Sequence, residues 1–265
     1  MRGDCLRVKE IMDERHPFIY EDELATKARA VIRDFALRIL PVVNENRRLL
    51  GFVSRGNVMM ISSSVSPIRV KGIMTSPKHV ASREDEVVST VKEMIRLDEW
   101  CIPVVNSTQD KAYKGVLDFA NFIQASLEIN PHKFSKKVSE VMSTNLFVCS
   151  PEDEVDNVWR LMQKKAFAGL PVVKNQKLVG IVTQKDLLES RAVLPTFESA
   201  KGRFRASSKI SSIMRTSVIA VKPHAKVREA AELMISRNIG RIAVKDDKDK
   251  LVGIVDREDV VTLLV

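Results

Sequence analysis

Apolar and polar residues recur in four blocks of the same design along the 265 residues. Each block opens with a short segment closed by methionine: VKEIM at Met12, VKGIM at Met74, VSEVM at Met142 and ISSIM at Met214. The same apolar strand follows 29 residues after each methionine, with Pro41 in ILPVV, Pro103 in CIPVV, Pro171 in GLPVV and Ala243 in RIAV. Four identical spacings mark an internal repeat, which governs every later reading of the chain. Between methionine and strand the period is helical. Ala25, Val87, Val155 and Val227 stand thirteen positions after the methionines, and Ile32, Met94, Met162 and Met234 stand seven residues further on, along one helix face. Acidic clusters precede three of these helices, Glu21-Asp22-Glu23, Glu84-Asp85-Glu86 and Glu152-Asp153-Glu154. They read as caps at the positive end of the helix dipole.

After a hydrophilic turn of variable length comes a second strand opening on glycine: GFVSRGN from Gly51, GVLDFAN from Gly115, GIVTQKD from Gly180 and GIVDRED from Gly253. A final helix follows, in GNVMMISS, ANFIQASLE, KDLLESRA or EDVVTLLV. The fold class is therefore α/β (α+β), with β-α-β-β-α repeats at roughly 8–60, 70–127, 138–190 and 210–265. One such unit is too small to bury both faces of its sheet. Pairing predicts two pseudo-twofold modules, residues 1–132 and residues 133–265, with a longer connection, SRAVLPTFESAKGRFRASSK, inside the second.

Composition adds charge to this picture. The chain holds 43 Lys and Arg against 34 Asp and Glu, a net charge of +9, but residues 1–132 carry 19 against 18 and residues 133–265 carry 24 against 16. The excess favours a polyanionic partner such as a nucleotide, a nucleic acid or an acidic surface. Cys5, Cys101 and Cys149 have no ligand spacing and read as reduced structural thiols. No apolar run approaches a membrane span and the first residues lack a signal-peptide core, so the expected location is cytoplasmic without membrane association. His16, His79, His132 and His224 are isolated, which predicts no metal site. Trp100 and Trp159 read as packing residues, with stacking of Trp100 on a base as the alternative.

In the closing part of each repeat the patterned polar residues stand three and six positions after the glycine: Ser54 and Asn57, Asp118 and Asn121, Thr183 and Asp186, Asp256 and Asp259. With the methionine segment and the fixed spacing, they make the chain resemble the cystathionine β-synthase (CBS) domain, which occurs in tandem as the Bateman module. The four-copy arrangement is similar to that of the gamma subunit of AMP-activated protein kinase. The resemblance implies no catalytic activity and no catalytic cofactor. It implies a regulatory ligand, an adenine nucleotide (AMP, ADP or ATP) or S-adenosylmethionine, bound in clefts between paired repeats. It further implies a protein partner that reads the bound state, and association into homodimers through the modules.

By the same resemblance the later Asp bonds the ribose hydroxyls and the earlier Ser or Thr lies beside ribose or phosphate. A carboxylate accepts from two hydroxyls, and a hydroxyl donates to phosphate without repelling it. The third repeat matches fully, through Thr183 and Asp186, and its pocket is completed in expectation by Thr144, Asn145, Leu146, Gly169, Leu170 and Pro171. The fourth keeps Asp259 but sets Asp256 against phosphate, a repulsion that Arg241 can offset; Arg241 serving the neighbouring cleft across the pseudo-twofold, or standing as an exposed strand-end residue, are the alternatives. Ser54, Asn57, Asp118 and Asn121 are weaker candidates, because Asn lacks the charge and Asp118 repeats the repulsion. The leading reading is a ligand sensor. The alternatives are a nucleic-acid-binding protein using the basic second half and a structural scaffold; the connection with Lys201, Arg203, Arg205 and Lys209, interleaved with Phe197 and Phe204, reads as a solvated linker, or as a segment that folds over a phosphate tail or binds single-stranded nucleic acid.

Overall fold

The structure is a computed structural model that describes residues 6–59, 61, 66–165, 167–190 and 208–265. The first repeat runs through α1 (Val8–Ile11), β1 (Ile19–Tyr20), α2 (Ala25–Asp34), β2 (Ile39–Val43), β3 (Leu49–Ser54) and α3 (Arg55–Met59). The second holds β4 (Ala81–Ser82), α4 (Val87–Leu97), β5 (Cys101–Val105), β6 (Tyr113–Asp118) and α5 (Phe119–Ile129). The third holds α6 (Val155–Lys164), β7 (Gly169–Lys174), β8 (Lys177–Thr183) and α7 (Gln184–Ser190). The fourth holds β9 (Ala220–Val221), α8 (Val227–Ser236), β10 (Arg241–Lys245), β11 (Leu251–Asp256) and α9 (Arg257–Leu264). In place of α1, each later repeat begins with a short 3-10 turn, at Val70–Gly72, Val138–Glu140 and Ile210–Ser212.

Each long hairpin is antiparallel, and the opening strand lies parallel against its first arm, giving three-stranded sheets in repeats one, two and four. In repeat three the opening strand shrinks to one bridge between Cys149 and Val172. Two prolines account for this. Glu21 and Arg83 donate their N–H to the carbonyls of Val43 and Val105, and Pro151, at the matching position, has no N–H to give. Repeat four also has a proline there, Pro223, but recovers a bridge one step earlier, between Ala220 and Ala243, where repeat three has Pro171.

The helix-face positions read from the sequence are all in the core: Ala25, Ile32, Val87, Met94, Met162, Val227 and Met234 have no exposed surface, and Val155 has 1%. The acidic clusters are a partial correction. Glu86 caps α4 by accepting from the N–H groups of Val88 and Ser89, whereas α2 and α6 follow Leu24 and Glu154 without a side-chain cap. Asp85 and Asp153 instead accept from Ser82 and Ser150 in the preceding turns, at 2.8 Å each.

Methionine segment and glycine strand co-occur because each methionine segment crosses to the neighbouring repeat. Isolated antiparallel bridges join Asp13 to Val116, Thr75 to Phe52, Ser143 to Ile254 and Arg215 to Ile181. A side chain at Gly51 would stand 2.7 Å from the Thr75 carbonyl oxygen, and one at Gly180 would stand 3.0 Å from Met214 Sδ. These contacts tie repeat one to repeat two and repeat three to repeat four. The two large hydrophobic clusters run the other way. One gathers Val91, Met94, Phe122 and Ile123 with Ala230, Met234, Val260 and Val261, from repeats two and four. The other gathers Ile32, Leu40, Val53 and Val58 with Val158, Met162, Val182 and Leu187, from repeats one and three. No helix among the described residues is long and apolar enough to cross a membrane. Cys5 and the segment holding Phe197, Lys201, Arg203, Phe204 and Arg205 lie outside the described residues.

Candidate functional site

The paired polar residues after each glycine first do a local job: they cap the final helix. In repeat three the Thr183 N–H and Oγ both donate to Asp186 Oδ2, at 2.9 and 2.5 Å, and the Asp186 N–H returns to Thr183 Oγ1 at 3.3 Å. Ser54 and Asn57 repeat this arrangement, with the Ser54 N–H and Oγ donating to Asn57 Oδ1 at 2.8 and 2.6 Å. In the other two repeats an Asp takes the hydroxyl's place. Asp118 accepts from the N–H groups of Ala120 and Asn121, and Asp256 accepts from those of Glu258 and Asp259. Helix capping therefore explains the residue types at both positions; what distinguishes the repeats is charge and the oxygen left over.

Asp186 has one such oxygen. Its side chain is 3% exposed, Oδ2 is committed to the cap, and Oδ1 accepts from Arg215 Nε. Arg215 also bonds Glu189 Oε2 at 3.2 Å, and the carboxylate of Asp186 holds its guanidinium charged. Arg215 comes from repeat four, in the segment bridged to Ile181 on β8. The second oxygen of Asp186 is thus met by the opening segment of the neighbouring repeat.

The remaining residues divide accordingly. Gly169 lies opposite Thr183 in the β7–β8 ladder, and Arg241 Nη1 donates to the Gly169 carbonyl at 2.7 Å. Arg241 in turn faces Asp256 across the β10–β11 ladder, so Asp186, Thr183, Gly169, Arg241, Asp256 and Asp259 form one continuous run about the pseudo-twofold. Arg241 is half-buried, with its charge opposed by burial and supported by Asp256. Leu170 and Pro171 are buried, Pro171 receiving the Cys149 N–H on its carbonyl. Thr144 and Asn145, exposed, and Leu146, half-buried, leave the Ser143–Ile254 bridge and so start beside β11, the strand of Asp256, rather than beside β8. In the first pair, Ser54 and Asn57 sit by the Thr75 segment, and Asp118 and Asn121 sit by the Asp13 segment.

Charge at the second pair's centre runs against the whole-half balance. Asp186, Glu189, Asp256, Glu258 and Asp259 surround Arg215 and Arg241. Burial and the neighbouring Asp256 push Asp259 up to about 7, and burial raises Asp256 and Glu258 as well. The compensating cations come from the first repeat. Arg38 lies against Gly240, with its guanidinium 4.8 Å above the Trp100 ring, and Trp100 Nε1 donates to Glu258 Oε2 at 2.8 Å. Arg55 donates to the carbonyls of Ala36 and Leu37 within the field of Asp186 and Glu189; burial and Arg38 lower it to about 10. Arg257, 3% exposed, reaches Asp118 Oδ2 at 3.6 Å and Asn238 Oδ1 at 3.3 Å.

Sequence reasoning missed Arg38, Arg55, Arg215, Arg257 and the bridging role of Trp100. Arg55 and Arg257 had a signal, since both stand four positions after the glycine, where Gln184 also bonds a preceding carbonyl, that of Phe167. Arg215 had none, because its homologous positions hold Asp13, Thr75 and Ser143. Cys101 and Cys149 are buried free thiols, and burial raises both, Cys149 to about 12, which keeps them unreactive. Lys209 pairs with Glu152 at 2.6 Å.

The sequence profile of the CBS domain matches residues 8–64, 138–192 and 210–265, more than half of the chain. The stretch between the first two matches has the same order of elements. The protein MJ1225 of Methanocaldococcus jannaschii is 25% identical over 263 residues, covering 91% of this chain and 92% of that one. Its crystal structure superposes with a TM-score of 0.85 over 98% of this chain and all of that one, at 20% identity. A conserved protein from Pyrococcus horikoshii superposes at 0.68, with 22% identity over 98% of this chain and all of that one. The inosine-5'-monophosphate dehydrogenase of M. jannaschii is 30% identical over 138 residues, 51% of this chain but only 25% of that enzyme.

Proposed function

This chain belongs to the CBS domain family, and we propose that it is a regulatory protein that binds an adenine nucleotide or adenosyl ligand in the clefts between paired repeats. The observation that carries the reading is Asp186. It is a buried carboxylate with one oxygen committed to the helix cap and the other bonded to Arg215 from the neighbouring repeat, whose own side chain is about half exposed. A ribose presents two hydroxyl donors to that oxygen, and Arg215 is then released toward a phosphate or carboxylate of the same ligand. Arg241, Arg38 and Arg55 supply further positive charge near the centre. The acidic side chains of repeat four favour ligands with little negative charge in that cleft, so AMP and S-adenosylmethionine suit it better than ATP. Fold likeness to MJ1225, described as a candidate archaeal homologue of γ-AMPK, fits a four-repeat sensor. A ligand that distinguishes two arrangements of the repeats shifts their balance, and a protein partner reads the result.

Thermal unfolding with AMP, ADP, ATP and S-adenosylmethionine tests the proposal. A ligand at 100 times its Kd adds about 2.7 kcal/mol of stability. Asp186→Asn is the informative variant, because Asn57 and Asn121 already make the cap bond in the other repeats, so the fold survives while the charge is lost. Affinity then falls about tenfold, the difference between a charge-assisted and a neutral hydrogen bond. No shift with any of the four compounds rejects the reading, and an unaltered affinity removes Asp186 from the site.

A further inference from the structure

A cavity lies between the two repeats of the first pair, beside the start of the β6 hairpin arm. It measures about 560 Å³, within the range of small-molecule pockets, and both repeats of the pair build it. Repeat one contributes the segment from Glu14 to Phe18 and the hairpin residue Arg47; repeat two contributes Arg83, Tyr113 and Lys114. Four cations and one carboxylate line it, a net charge of +3, whereas residues 1–132 as a whole carry only +1.

Two of the cations have partners, and only one of those partners is a carboxylate. Phe18 stacks edge-on with Tyr113 at 5.7 Å, and the Arg47 guanidinium sits 5.3 Å over the Phe18 ring. Arg83 Nη2 bonds Glu14 Oε1 at 2.9 Å, but its Nε is buried without any hydrogen-bond partner. Such an orphaned donor is costly unless an acceptor arrives. The side chains of Arg15 and Lys114 make no hydrogen bond or ion pair among the described residues.

The pseudo-symmetry of the chain supplies an internal comparison. The positions matching Arg15 hold Pro77, Asn145 and Ser217, those matching Lys114 hold Leu50, Val179 and Val252, and those matching Arg83 hold Glu21, Pro151 and Pro223. None of these is a cation, and only Arg47 has a cationic match, Lys111 in the second repeat, so the repeat architecture does not require Arg15, Arg83 and Lys114 to stand together. We infer that this cavity is a separate binding site for a phosphorylated small molecule carrying two or more negative charges. The guanidinium groups of Arg47 and Arg83 fork onto phosphate oxygens, Arg83 Nε gains its missing acceptor, and Lys114 and Arg15 close the charge balance.

Isothermal titration of the full chain with inorganic pyrophosphate tests this. The wild-type chain binds one pyrophosphate in the cavity. The double variant Arg47→Ala, Lys114→Ala weakens that binding by about tenfold or more. Its unliganded melting temperature is unchanged, because both side chains are exposed. Asp186→Asn leaves pyrophosphate binding as it was, which separates this cavity from the cleft of the proposed nucleotide site. Absence of binding to the wild-type chain, equal affinity in the double variant, or a change caused by Asp186→Asn overturns the inference.

Discussion

A single carboxyl group shows how position and charge divide the four repeats. Asp259 does for α9 what Asn121 does for α5: its Oδ2 accepts the N–H of the residue three before it, at 2.9 Å. It does so beside Asp256 and Glu258, and burial together with Asp256 raises it to about 7 from an ordinary value of 3.8. The native chain therefore holds this proton to a higher pH than the unfolded chain. Between about pH 4 and pH 7 the native state binds more protons, so stability falls as pH rises through that window and the deficit is complete above it. Asp259→Asn keeps the acceptor and removes the charge. In urea unfolding at pH 8 the variant should exceed the wild-type chain by about 1–2 kcal/mol, a figure already reduced for solvent screening of a partly exposed group. The gain should shrink toward pH 4.5, and an equal gain at both pH values would contradict this account.

Among elements, the crossing of each methionine segment onto its neighbour's glycine strand is the device that makes pairs. Gly115 is its most constrained point: its φ of +152° is a conformation that side chains rarely adopt, and a Cβ there would run into the Asp13 carbonyl oxygen. Gly115→Ala should cost about 2–4 kcal/mol, from backbone strain together with loss of the Asp13–Val116 bridge. Chemical denaturation measures it, and a loss below about 1 kcal/mol would show that the crossing is not constraining. The helices and hairpins were legible in the sequence because period and spacing are local properties: Ile32, Met94, Met162 and Met234 all fall in the core. The same spacing could not show that Pro151 and Pro171 together would reduce the opening strand of repeat three to one bridge, since that follows from which N–H faces which carbonyl. Nor could it separate capping from ligand binding at Thr183 and Asp186, because both uses need the same oxygen acceptors. Arg215 was hidden for a related reason: its value comes from the neighbouring repeat.

At the scale of the whole molecule, two kinds of connection cross. Backbone bridges join repeat one to two and three to four, while the hydrophobic clusters join two to four and one to three. Charge follows the clusters: Arg257 of repeat four reaches Asp118 of repeat two, and Arg55 of repeat one lies in the field of Asp186 and Glu189 of repeat three. No repeat can then leave the assembly without breaking either a ladder or a core, so a ligand bound as proposed in one cleft would bear on all four repeats. Ile123 provides the measurement. It is fully buried on α5, whose helix packs against α8 and α9. Ile123→Ala opens a cavity and should cost about 2–5 kcal/mol. Because repeat two is bonded to repeat one and packed on repeat four, calorimetry should record one transition moved as a whole to lower temperature. Two separate transitions, with only one displaced, would mean that the modules unfold independently and that a ligand in one is not felt by the other.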